Sequence, residues 1–249
     1  MNNTNKLLLL ASILTLNSSL YAATFKAKVY DKDATSPMFT YVHTERSEGG
    51  KRIVEAQFHT MDGKLALHEK LHYTPGKNIF DLYELSRPLS HERAAVKPDG
   101  EKLHFSYHDG PKHEDDKESI EENTISREDL NAFVAKNWQT IMSGDKLKSR
   151  FVIADRTETI GFSMRKREEV TYKGKPAVRV ILFATSPFVA AIAGDTFLTF
   201  ERDGAHRLLE VDGRTPVLKQ VDGKWKSFVG RMEYEYEAPV PTLASNTKR

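Results

Sequence analysis

The chain of 249 residues contains no cysteine. This absence excludes disulfide bonds, thiolate metal sites and a cysteine nucleophile. The sequence also lacks an apolar run long enough to cross a bilayer, because residues 7–16 fall well short of the roughly twenty that a spanning helix needs. An excess of one charge is missing too: the formal net charge is +2, and basic and acidic residues are interspersed along the chain. This distribution is not that of a nucleic-acid-binding protein.

The N-terminal segment has the order of a secretory signal peptide. Lys6 precedes the apolar run, and small residues lead to Ala22, after which we predict cleavage. We therefore expect residues 1–22 to be a signal peptide, the mature protein to be periplasmic or secreted, and no transmembrane segment to remain. A retained N-terminal anchor is the alternative.

Most of the remaining chain reads as strand and turn. Apolar and polar residues alternate from Phe25 onward, and Asp-Gly dipeptides recur about every ten residues, as in tight hairpins. Residues 23–237 are predicted to form a single β-rich domain and residues 238–249 a disordered tail. Residues 87–100 and the strongly acidic residues 111–123 are predicted to be loops.

One long helix is predicted at residues 127–143. Ser126 is suited to cap its start and Gly144 to end it. Its apolar residues share one face, and they are Leu130, Phe133, Val134, Trp138, Ile141 and Met142. The predicted fold is mainly β: a strongly curved antiparallel meander, or incomplete β-barrel, with this helix packed on the concave side. A short second helix at residues 187–193 is apolar nearly all round, which favours a place at an opening or against a membrane.

Polar candidates for chemistry are weakly supported. His68 and His72 lie about 13 Å apart along one strand, too far for a natural chelate. The histidines of residues 102–116 stand among carboxylates, but we assign no metal, no cofactor and no catalytic residue there. Glu69 is the one carboxylate on an apolar strand face, where a glycosidase-like pair would need it. The sequence has neither a nucleophile elbow nor a glycine-rich phosphate loop.

A hydrophobic ligand is the better candidate. A curved sheet around an amphipathic helix either fills its interior with side chains or leaves a cavity. The residues predicted to line such a cavity are Phe133, Trp138, Phe162, Phe183, Phe188 and Ile192. The alternative is that these residues are ordinary core.

Two segments carry a family resemblance: NWQTIMSGDKLKSRFVIADR at residues 137–156 and TFLTFERDGAHRLLEVDGRTPV at residues 196–217. They resemble a group of secreted, β-rich proteobacterial proteins of unknown function. More loosely, the chain is similar to periplasmic lipoprotein carriers and their outer-membrane receptor, which are unclosed β-barrels that hold acyl chains. The N-terminal half departs from those carriers, so the resemblance implies the architecture more than the cargo.

The leading hypothesis is a non-enzymatic periplasmic protein that binds a lipid or another hydrophobic ligand in envelope maintenance, with an envelope protein as a further partner. One alternative is a hydrolase or metal-dependent enzyme built on residues 102–116. The other is an adaptor that adds strands to a partner protein.

Overall fold

A computed structural model describes residues 24–236, and for Ile192 and Ala193 it describes the backbone alone. The predicted signal peptide and the predicted C-terminal tail lie outside these residues. The described chain forms one sheet of fifteen strands. The strands are β1 (Thr24–Asp31), β2 (Phe39–Glu48), β3 (Lys51–Thr60), β4 (Leu65–Tyr73), β5 (Leu82–Arg87), β6 (Glu92–Asp99), β7 (Lys102–Asp109), β8 (Lys112–Ser119), β9 (Thr124–Ile125), β10 (Leu147–Ile153), β11 (Glu158–Tyr172), β12 (Lys175–Ala184), β13 (Thr196–Glu201), β14 (Leu208–Val221) and β15 (Lys224–Tyr236).

The strand order confirms the predicted incomplete barrel. Neighbours in sequence are neighbours in the sheet, except that β1 pairs with β15, so that β8 and β9 form the two edges. All pairs are antiparallel apart from the short parallel pair of β9 with β10. The chain between Ser119 and Thr124 passes directly from one edge to the other. The edge strand β8 also contacts β11, because the carboxylate of Glu118 accepts hydrogen bonds from the backbone N–H and hydroxyl of Thr159.

Two predicted loops are strands instead. Residues 87–100 contain β6, and residues 111–123 contain β8, which pairs with β7 along its whole length. Strand β8 has almost no apolar residue because both of its faces are exposed and it buries nothing. Charged side chains are common on such edge strands, where they discourage pairing with other chains. A pattern based on buried faces therefore could not reveal it.

The predicted helix is divided in two. After the single 3-10 turn Arg127–Asp129, α1 (Leu130–Lys136) and α2 (Trp138–Ser143) are separated by Asn137, whose φ of −106° and ψ of 23° are not helical. The side chain of Asn137 donates to the carbonyl of Phe133, which competes with the helical pattern. The predicted ends are confirmed: Ser126 and Asp129 form a capping box, and Gly144 ends α2 with a φ of 86°.

Both helices pack on the inner face of one half of the sheet. Their buried residues join a core cluster with side chains of β10 to β14. A second cluster fills the half formed by β1 to β7, and Val211 and Tyr234 contact both clusters. The third helix, α3 (Pro187–Ala193), joins β12 to β13 as predicted. Within residues 24–236, no helix is long and apolar enough to cross a membrane.

Candidate functional site

A cavity of about 620 Å³ lies between the two core clusters. This volume falls within the roughly 300–1,000 Å³ that is typical of small-molecule pockets. The wall is mostly apolar, and β11 to β14 together with α3 provide a large part of it. Representative apolar residues of the wall are Ile160, Phe162, Leu182, Phe188, Leu198 and Val211. The interior of the barrel is thus not completely filled by side chains.

Two of the six predicted binding residues line this cavity. Phe162 packs edge-on against Phe151 at 5.3 Å between ring centroids, and both rings form part of the wall. Phe188 lies on α3 and is 75% exposed, although it also contributes to the wall, which places it at the mouth. The side chain of Ile192 lies outside the described part of the structure.

The other three predicted residues lie elsewhere. Trp138 belongs to the core: its ring stacks on His206 at 4.1 Å and meets Phe200 edge-on at 6.2 Å. Phe133 packs against the same cluster, and Phe183 is half-buried on β12. Among the described residues that line the cavity, none of these three appears. Helical spacing predicted that Phe133 and Trp138 face inward, but it could not separate core from cavity wall.

An inner cluster of charged residues, Glu69, Arg127 and Glu128, also lines the cavity. The Nη2 of Arg127 forms an ion pair with Glu69 Oε2, and it lies 2.9 Å from Glu128 Oε1 in a geometry that is not a hydrogen bond. Tyr83 donates its hydroxyl hydrogen to Glu69. Both carboxylate side chains are only 4% exposed, whereas that of Arg127 is 27% exposed.

Glu128 has further partners on β2. The hydroxyl of Tyr41 donates to Glu128 Oε2 over 2.8 Å, and Nδ1 of His43 lies 2.8 Å from the same oxygen. Burial by itself would raise the pKa of Glu128, but the charge of Arg127 and the hydrogen bonds from His43 and Tyr41 more than offset it and hold this pKa below its usual range. Burial raises the pKa of Tyr41, and the negative charge of Glu128 raises it further. Glu128 is therefore ionised and Tyr41 neutral at pH 7.

An outer cluster, Arg87, Glu92 and Asp155, lines the same cavity. Arg87 Nη1 donates to Glu92 over 2.6 Å, and Nη2 lies 2.8 Å from Asp155 and 3.2 Å from the carbonyl of Pro216. Burial alone would lower the pKa of Arg87, but the charges of Asp155 and Glu92 leave it raised. This arginine thus ties β5 and β6 to the turn between β10 and β11 and to β14.

The histidine-rich segment is a hairpin at the edge of the sheet. His108 and His113 face each other across β7 and β8, with 3.1 Å between their Nδ1 atoms, and His113 pairs with Asp115 at 2.7 Å. All three side chains are exposed. In the described range 24–236, no three histidine or carboxylate side chains stand close enough together to hold a metal ion.

The two charged clusters were missed by the sequence analysis apart from Glu69. Glu69 stood out because it lies on an apolar strand face, and it is indeed 3% exposed. In the sequence, Glu128 is recognisable only as an acidic first-turn residue near the positive end of the predicted helix, and Arg127 only as its first residue. Their burial results from partners on β2 and β4 that lie far away in sequence, and no local pattern records it.

Comparison with known proteins gives only distant likenesses. No family profile matches the chain, and no curated protein matches it. Among solved structures, the chain is similar to a β-barrel-like protein of a domain of unknown function, DUF1849, from Brucella abortus, with 9% identity, a TM-score of 0.43 and coverage of 87% of this chain and 97% of that one. It is also similar to a putative outer membrane lipoprotein-sorting protein domain from Vibrio parahaemolyticus, with 9% identity, a TM-score of 0.29 and coverage of 88% and 86%. These descriptions correspond to the two groups that the sequence resembles, and we draw no functional argument from them.

Proposed function

We propose that this protein binds a hydrophobic or amphipathic ligand, such as a lipid, inside the incomplete barrel. The observation that supports the proposal is the cavity of about 620 Å³ with its mostly apolar wall. Apolar walls of this kind bind apolar groups because both surfaces are removed from water. Binding of such a ligand needs no catalytic residue, so we propose a non-enzymatic carrier.

Phe188 supports a route into the cavity. A phenylalanine that is 75% exposed loses the stabilisation that burial would give it, about 1.5–3 kcal/mol for a side chain of this size. Since the same residue lines the cavity, its exposure is explained if a ligand passes over it or covers it. Helix α3 is then the element that a ligand meets first.

The place of action follows from the N-terminal pattern alone. We propose that residues 1–22 direct export and that the mature protein, with residues 23–237 as one domain, acts in the periplasm or outside the cell. Edman sequencing of the exported protein should begin at Ala23, and a periplasmic protein that retains Met1 would contradict the cleavage prediction. An envelope-protein partner stays a prediction.

Ligand binding is tested by a substitution that fills part of the cavity with a larger side chain. Leu182 on β12 lines the cavity, whereas the side chain of its neighbour Ile181 points to the opposite face of the strand. In the full mature protein, Leu182→Trp should weaken binding of the uncharged fluorescent probe N-phenyl-1-naphthylamine at least about tenfold, equivalent to about 1.4 kcal/mol. Ile181→Trp is the matched control and should bind the probe like the original protein.

Thermal unfolding followed by circular dichroism shows whether both variants fold. Equal probe affinity in the folded Leu182→Trp and Ile181→Trp variants would place binding outside the cavity and refute the proposal. A second measurement is mass spectrometry of an organic extract of the purified protein, which should contain a stoichiometric hydrophobic compound. Absence of probe binding together with an empty extract would also refute it.

A further inference from the structure

The charges of the cavity wall differ in how far they are exposed to solvent. The inner cluster and the outer cluster each hold one arginine between two carboxylates, so each carries a formal charge of −1. Glu69, Glu92 and Glu128 have side chains no more than 12% exposed, and Asp155 is 26% exposed. Water therefore screens most of this negative charge poorly.

The remaining cations of the wall lie nearer to solvent. The side chain of Arg156 is 54% exposed and pairs with Glu158 at 2.7 Å. Arg214 is exposed and donates to the hydroxyl of Ser227. Their charge is screened by water and, for Arg156, neutralised by its partner. An anionic group that entered the cavity would lose its hydration and face the excess carboxylates of both clusters.

We propose that the cavity selects amphiphiles whose polar end is uncharged, such as an ester, and discriminates against carboxylates and phosphates. The proposal rests on the proposed function and adds the class of the ligand. The hydrocarbon chain contacts the apolar wall around Phe162 and Leu182, and the polar end lies beside the charged clusters.

The test compares two probes that share one chain. Monopalmitoylglycerol and palmitate, both below their micelle-forming concentrations at pH 8, compete with N-phenyl-1-naphthylamine for the full mature protein. The uncharged ester should displace the probe at a concentration at least about tenfold lower than palmitate does. A tenfold ratio corresponds to about 1.4 kcal/mol of unfavourable interaction between the cavity and the palmitate carboxylate. Palmitate that competes as well as the ester would overturn the proposal.

Neutralising one carboxylate shows whether the charge of the wall, rather than its apolar surface, causes the selectivity. Asp155→Asn keeps an oxygen near Arg87 but removes one negative charge, so the affinity for palmitate relative to that for the ester should rise. The matched control is Asp62→Asn, at an exposed carboxylate in the turn between β3 and β4 that pairs with Lys64. It should leave unchanged the ratio between the concentrations of ester and of palmitate that displace the probe.

An ester-to-palmitate ratio that is the same in Asp155→Asn and in the original protein would also overturn the selectivity. Failure of the proposed function looks different: the naphthylamine probe itself would not bind. Far-UV circular dichroism of each variant establishes that the fold is retained.

Discussion

Replacing Arg127 by methionine should destabilise the protein strongly at pH 7. Methionine retains most of the apolar stem but removes the charge that faces Glu69 and Glu128, whose side chains are 4% exposed. Removing one partner of a buried ion pair typically costs about 3–5 kcal/mol, because the other charge stays buried without compensation. The guanidinium also lies 5.3 Å from the ring centroid of Phe58, so a cation–π contact is lost. We expect a loss of about 4 kcal/mol in urea unfolding followed by circular dichroism.

The pH dependence of this loss distinguishes charge from packing. In the original protein, the lowered pKa of Glu128 contributes stability that is present above the pKa of an unfolded glutamate and is lost as pH falls through the lower, folded value. Without Arg127, the pKa of Glu128 should rise, because the charge that does most to offset its burial is gone, so the variant keeps less of this stabilisation at pH 7. The difference in unfolding free energy between the two proteins should therefore be smaller at pH 4.5 than at pH 7, because protonation removes the buried charge that Arg127 compensates.

Arg52→Met is the control for this comparison. Arg52 pairs with Glu45 and lies over the ring of Tyr73, but its side chain is 40% exposed. An exposed pair of this kind contributes less than about 1 kcal/mol, so its loss should be small at every pH. The reasoning is refuted if Arg127→Met costs no more than Arg52→Met, or if its cost is the same at pH 4.5 and pH 7.

Two further predictions concern aromatic residues. Trp138→Ala should lower the free energy of unfolding by about 3–5 kcal/mol in thermal or urea unfolding, because it empties a core position in contact with Phe200. The folded fraction should still bind the naphthylamine probe. Loss of binding by a folded variant would place Trp138 at the site. Phe188→Ser should leave stability almost unchanged because the ring is 75% exposed, yet it should speed dissociation of the probe in stopped-flow fluorescence. The exposed Met61, replaced by serine, is the control for Phe188, and equal dissociation rates in the two variants would contradict a role for α3 at the mouth.

Much of the fold could be predicted from the sequence because its signals are local. Alternation along a strand records which face is buried, and a dipeptide such as Asp62-Gly63 records the positive φ of a hairpin, here 84° at Gly63. The capping box at Ser126 is equally local. Strand β8 could not be predicted in this way, because an edge strand that buries neither face shows no alternation.

The site was predicted only in part for a physical reason. Phe162 and Trp138 are both aromatic and both face inward, so composition and spacing treat them alike. Whether an inward side chain packs against another or borders empty space depends on the distance between two parts of the barrel. Trp138 contacts Phe200 and His206, which lie more than sixty positions away in sequence, and only the folded chain brings them together.

The start of the helical segment links the fold to the cavity. The capping box of Ser126 and Asp129 fixes the first turn, and the hydroxyl of Tyr73 donates to Asp129 over 2.8 Å, which attaches that turn to β4. Arg127 and Glu128 lie between these two anchored residues and are thereby directed into the barrel. Filling the same space with apolar side chains would stabilise a core as well or better, since buried ion pairs seldom add net stability. A fixed, charged wall beside an apolar cavity is therefore better explained by selection among ligands than by stability, and this is the reasoning that the comparison of ester with palmitate puts to the test.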